Sequence, residues 1–133
     1  MGSNMELQGK KVIITGGASG FGSGISEKCI ENGATIIIAD INKSLGSDKA
    51  NELGKNAHSI STDVSNENSV KNLKIESEKI FGDPDIIINN AGVTHNPDFI
   101  ENISNEEFER VLNVNVKSVF LMSKEFVLSL IHI

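Results

Sequence analysis

The chain has 133 residues, 38% hydrophobic and 23% charged, enough for one compact core of ordinary globular composition. Its net charge is -6 with no basic stretch. That argues against nucleic acid or an anionic membrane as partner, and leaves backbone dipoles as the expected source of positive charge for a phosphate ligand.

In chain order, Met1 to Met5 reads as an expression scar ahead of a domain over residues 6–133. Gly2 superficially suggests myristoylation, but Glu6 stands where that signal has Ser or Thr. No signal-peptide pattern opens the chain, and no apolar run reaches the ~20 residues of a membrane helix. Lys11 to Thr15 is a nearly continuous apolar run and predicts the first strand, followed by a glycine cluster. Gly22 to Asn32 predicts a helix with Ile25 and Cys29 on one face and Gly33 as its stop. Cys29, the only cysteine, excludes an internal disulfide, fits a reducing cytoplasm and reads as core rather than nucleophile.

Thr35 to Asp40 is the second predicted strand. Ser44 to Leu53 is a short helix capped by Ser44 and stopped by Gly54, and His58 to Thr62 is a weaker third strand. Ser65 or Asn66 opens the next helix, with Val70, Leu73 and Ile80 spaced for one buried face, and Gly82, Asp83 and Pro84 end it. Asp85 to Asn89 is the fourth strand, and a loop runs on through Pro97. Ser104 and Glu107 form a capping box at the head of a long helix towards Ile131. The resulting βαβαβαβα order, with strands as uniformly apolar as Ile36 to Ile38 and Ile86 to Ile88, predicts an α/β fold with a parallel sheet covered on both faces.

The strongest chemical signal is the turn Thr15, Gly16, Gly17, Ala18, Ser19, Gly20, Phe21, Gly22 between the first strand and helix. Glycines there allow a tight turn and close backbone approach to a pyrophosphate, which the N–H groups and positive dipole end of the helix then hold. The turn is neither G-x-G-x-x-G, because Ile25 replaces the last glycine, nor a P-loop, because Ser23 follows Gly22 where lysine is required. Asp40 ends the second strand, 18 residues after Gly22, where an acidic side chain can accept from adenosine ribose hydroxyls and repel a 2′-phosphate. No arginine neighbours Asp40 in sequence, so NAD is expected over NADP. The alternatives are a plain joining turn and a solvated aspartate. His58, His95 and His132 have no ligand spacing, so no metal is expected.

Taken together these residues resemble the classical short-chain dehydrogenase/reductase family, over Leu7 to Ile131 and in its N-terminal half only. Its T-G-x-x-x-G-x-G motif is matched by Thr15, Gly16, Gly20 and Gly22, and its N-N-A-G motif by Asn89, Asn90, Ala91 and Gly92. Asp63 and Val64 match its adenine-side pair, and Asn115 its active-site asparagine. The resemblance implies a Rossmann-like doubly wound parallel sheet, NAD as cofactor, and hydride transfer between nicotinamide and a small carbonyl or alcohol. It implies that Gly16, Ser19, Gly20, Phe21 and Gly22 serve the pyrophosphate and nicotinamide side. Asp40 and Ile41 would contact the adenosine ribose, and Asp63 and Val64 the adenine. Asn90, Ala91 and Gly92 would pass the nicotinamide ribose, and Val114 would close the adenine side. Asn115 would help hold a water linked to the catalytic lysine. Read without the family, Asn115 shares a helical face with Phe108, Leu112, Val119 and Phe126, where a buried amide must be satisfied, by backbone for instance. His95, Asn96 and Asp98 lie in a loop near substrate in the family, without an assigned role.

The family's tyrosine and lysine, in Y-x-x-x-K, lie beyond a fifth strand, and this chain contains no tyrosine. The expectation is a chain truncated after the fourth strand and the following long helix, inactive alone for want of a general acid. An apolar fourth strand at the sheet edge and exposed Phe120 and Val127 then invite a partner, expected as a homo-oligomer through the last helix. Two other readings stay open: a natural nucleotide-binding or interaction module without catalysis, and a remnant without a ligand.

Overall fold

The computed structural model describes residues 6–131; the stretch read as an expression scar and His132 lie outside the described residues. β1 (Lys11–Thr15), β2 (Thr35–Asp40), β3 (Ala57–Ser61) and β4 (Ile86–Ile88) form one parallel sheet in the order β3-β2-β1-β4. The helices are α1 (Gly20–Glu31), α2 (Lys43–Leu53), α3 (Glu67–Phe81), α4 (Asn105–Leu112) and α5 (Ser118–Leu130), with a 3-10 turn at Ile100–Asn102. A π-helical turn, Asn113–Lys117, joins α4 to α5.

Strand alternation sorts the apolar side chains into two layers. Val12, Ile14, Ile36 and Ile38 pack with Cys29, Ala34, Ala50 and Ala57 on the side of α1 and α2. Ile13, Ile37 and Ala39 pack with Val70, Leu73, Leu121, Met122 and Phe126 on the side of α3 and α5. Both faces of β1 and β2 are therefore dry, which is why these strands carry β-branched residues at consecutive positions. Each fully buried isoleucine contributes roughly 1.5–3 kcal/mol relative to an exposed one.

β1 and β2 match the sequence reading residue for residue, while several local expectations are corrected. α1 begins at Gly20 rather than Gly22. α2 is capped by Asn42, not Ser44: the Asn42 side chain accepts from Leu45 N at 3.0 Å. β3 sits one residue earlier than His58–Thr62, and β4 spans three residues rather than five. Asn66, one of the two expected caps, opens α3 by accepting from Ser69 N at 2.9 Å. The buried face of α3 is completed by Ser77, whose hydroxyl donates to Lys74 O, while Ile80 is exposed. At α4 the Ser104 half of the capping box forms, accepting from Glu107 N at 3.1 Å, but the Glu107 carboxylate is taken by Arg110.

The long helix is not a uniform α-helix. A π turn interrupts it, and Phe126 is fully buried while Phe108, Leu112, Val119 and Asn115 are exposed. The expected buried face through these residues is not formed. A π turn frees carbonyls from the i→i−4 ladder. Here the buried Ser118 hydroxyl donates to Val114 O, inside that turn.

Candidate functional site

The carboxyl ends of the parallel strands open on a cleft of about 670 Å³. Its floor is the turn after β1. Gly16 (φ 63°) and Gly20 (φ 53°) hold left-handed backbone that other residues adopt only at a cost. At Gly22 a side chain is excluded outright, since a Cβ there would sit 1.9 Å from Gly16 O and 2.5 Å from Asn90 Nδ2. The buried Ser26 hydroxyl lies 3.0 Å from Gly17 O and 2.9 Å from Gly22 O, tying the turn to the helix it starts.

The turn is stitched to the loop after β4. Asn90 N and Ala91 N both donate to Thr15 Oγ1 at 3.0 Å, and Asn90 Nδ2 donates to Thr15 O and Gly16 O at 3.1 Å. Loop and turn thus form one wall. Further along the loop, Val93 N donates to Asn115 Oδ1 and Asn115 Nδ2 donates to Val93 O, both at 2.7 Å. Asn115 is the backbone-satisfied amide of the sequence reading, but on an exposed surface and bridging to another segment.

On the opposite side, Asp40 Oδ2 accepts from Ala18 N at 3.1 Å and Oδ1 from Asn42 N at 3.0 Å. The carboxylate is nearly buried and bridges the glycine turn to the start of α2. Asp63 Oδ1 accepts from Ser65 N at 3.0 Å and from the Ser65 hydroxyl at 2.6 Å, which holds the turn leading to α3.

Of the residues singled out in the sequence, Gly16, Ser19, Gly20, Phe21, Asp40, Ile41, Asp63, Val64, Asn90, Ala91, Gly92 and Val114 line this cleft. Gly22 and Asn115 stand behind its wall rather than in it. Thr62, Ser65, Val93 and Arg110 line it as well and were not anticipated. Arg110 is the only arginine of the chain, and it lines the cleft while paired with Glu107. It lies one helical turn before Val114 on the same face, which is the signal that could have found it. Its Nε and Nη2 donate to Glu107 at 3.0 and 2.7 Å, and Nη2 also donates to Thr94 O at 3.0 Å. The hydrogen bonds from Arg110 hold the Glu107 carboxyl below the usual carboxylate range. His95, Asn96 and Asp98 are outside the cleft; Asn96 and Asp98 border a separate small polar pocket with Asn102 and Glu107.

The donor set fits a dinucleotide. The first turn of α1 leaves backbone N–H groups without helical acceptors, and its cap residue Ser19 makes no side-chain capping bond. Ser19, Gly20 and Phe21 at the start of that turn line the cleft, and an added Cβ at Gly20 would meet nothing within 4 Å. A pyrophosphate finds there both hydrogen bonds and the positive end of the helix dipole. Among the described residues no group of three or more His, Cys, Asp or Glu could hold a metal ion, and no helix is long and apolar enough to cross a membrane.

Comparison with known proteins gives a consistent picture. A family profile described as short chain dehydrogenase matches residues 10–132. An uncharacterized oxidoreductase of Thermotoga maritima is 36% identical over 121 residues, 89% of this chain and 47% of that protein. Tropinone reductase-like 1 of Erythroxylum coca is 40% identical over 126 residues, 92% of this chain and 46% of that protein. The crystal structure of a 3-ketoacyl-(acyl-carrier-protein) reductase from Brucella melitensis complexed with NADH superimposes with a TM-score of 0.90 at 36% identity, over 92% of this chain and 51% of that one. The chain spans about half the length of the relatives it matches.

Proposed function

The chain belongs to the short-chain dehydrogenase family, and from that premise we propose that these residues hold NAD(H) for an oxidoreductase acting on a small carbonyl or alcohol. The observation that carries the reading is the cleft itself. One concavity gathers the glycine turn, Asp40, the Asp63–Val64 pair and the Asn90–Gly92 loop, residues from the ends of all four strands. The bound cofactor would supply or accept the hydride. The chain's own part is to seat the pyrophosphate on the α1 N-terminus, hold the adenosine ribose at Asp40 and shape the nicotinamide side with the loop after β4. Asp40 supports NAD over NADP, because a 2′-phosphate would approach its carboxylate. Arg110, the one arginine lining the cleft, is already paired with Glu107.

The family's general acid is the tyrosine of a Y-x-x-x-K motif, and the 133 residues contain no tyrosine. Proton transfer at the carbonyl therefore has no agent among these residues. They are expected to bind NADH without turning it over. A nucleotide-binding module without catalysis is the second reading, which stable NADH binding by these 133 residues would favour. The test is a fluorescence titration with NADH, followed by an assay for NADH oxidation against a panel of carbonyl compounds. Saturable binding without oxidation is expected. Oxidation by these residues alone would sink the second half of the proposal, and no binding would sink the first.

The apolar residues left exposed on α4 and α5 support a further element of the reading, a homo-oligomer formed through this surface.

A further inference from the structure

We propose that Arg110 is a positioning residue: braced by Glu107, it is a second strut that holds the loop after β4 in the shape of the cleft wall. The inference rests on the cofactor reading above. The first strut is Asn115, which fixes both backbone groups of Val93 at 2.7 Å. Arg110 takes the next residue along, donating from Nη2 to Thr94 O at 3.0 Å. Two consecutive residues of the loop, Val93 and Thr94, are thus held from one helical segment at the end of the Asn90 to Val93 stretch that lines the cleft.

The local geometry explains how both side chains reach the same loop. Arg110 and Asn115 are five residues apart, which on a continuous α-helix sets their directions about 140° apart. The π turn at Asn113–Lys117 adds a residue to the helical turn and narrows that angle. Glu107 does the rest. Its two oxygens take Nε and Nη2 of Arg110 in a fork, which stops the guanidinium from rotating and aims the second Nη2 hydrogen at Thr94 O. A lysine cannot reproduce this, because it has no planar fork to be held from one side while it donates from the other.

The test compares two ligands by calorimetric titration. NADH carries the nicotinamide ribose that the loop would border; ADP ends at the pyrophosphate and lacks that ribose. Arg110→Met keeps the apolar stem and removes the donors. It should weaken NADH by roughly fivefold while leaving ADP within about twofold, the scale of one charge-assisted hydrogen bond shared with solvent. Arg110→Lys should recover part of the loss, since an ammonium can still donate to Thr94 O. Glu107→Gln, which leaves Arg110 in place but weakens its brace, should move NADH in the same direction by less. Equal losses for NADH and ADP, or unchanged NADH affinity in Arg110→Met, would overturn the proposal. Failure of the unsubstituted chain to bind NADH would bring down the cofactor reading itself, a result distinct from either.

Discussion

At the scale of single residues, the site is governed by side chains that bind backbone. Thr15, Ser26, Asp40, Asn90 and Asn115 each bridge two segments through main-chain groups. Asp40 is the one whose two tasks can be separated. Its carboxylate accepts from Ala18 N and Asn42 N, so it shapes the turn, and its charge is what should select against a 2′-phosphate. Asp40→Asn retains one acceptor and removes the charge. The affinity ratio of NADPH to NADH, measured by titration, is expected to rise roughly tenfold, equivalent to ~1.4 kcal/mol. An unchanged ratio would remove Asp40 from the assigned ribose contact. The glycine turn and Asp40 were legible in the sequence because glycine spacing and a strand-ending aspartate have physical reasons that need no coordinates; Ile41, Asp63, Val64, Asn90 to Gly92 and Val114 came from the family resemblance alone. Arg110 was not legible, because an arginine three residues after a glutamate on a helix reads as an ordinary solvated pair, and its reach to Thr94 O depends on tertiary placement.

At the scale of elements, the strands were easier to read than the helix ends. β1 and β2 are runs of β-branched residues buried on both faces, and nothing competes with that pattern. The caps were harder. Ser44 and Asn42 are both good capping residues, and the choice of Asn42 follows from the turn that Asp40 makes with Asn42 N. The π turn was not legible at all, because Asn113 to Lys117 has no periodicity that distinguishes i→i+5 from i→i+4 bonding. Its stability is open to test through Ser118, which is buried and whose hydroxyl donates to Val114 O. Ser118→Ala would leave that carbonyl unsatisfied, at a cost of about 1–3 kcal/mol. Urea unfolding should show the loss as a lower midpoint with an unchanged slope. An unchanged midpoint would mean that the turn is held without the hydroxyl.

At the scale of the whole molecule, the two faces of the sheet are closed but two other surfaces are open. One is the edge strand β4, with Ile86 to Ile88 half-buried. The other is the outer side of α4 and α5, where Phe108, Phe120 and Leu128 are 60%, 61% and 80% exposed. Either could carry self-association, and the physics favours the helices. β4 pairs over only three residues, so a strand added there gains few hydrogen bonds. The helical surface presents several large apolar side chains, and aromatic groups of that size dominate the energetics of interfaces. Sedimentation at micromolar concentration is therefore expected to give a mass above that of one chain. Phe120→Glu should shift the equilibrium towards the monomer, because a carboxylate would be desolvated on pairing. A monomeric unsubstituted chain would overturn the assignment. An oligomer indifferent to Phe120→Glu would move the joint to β4, where Ile87→Lys would become the variant that breaks it.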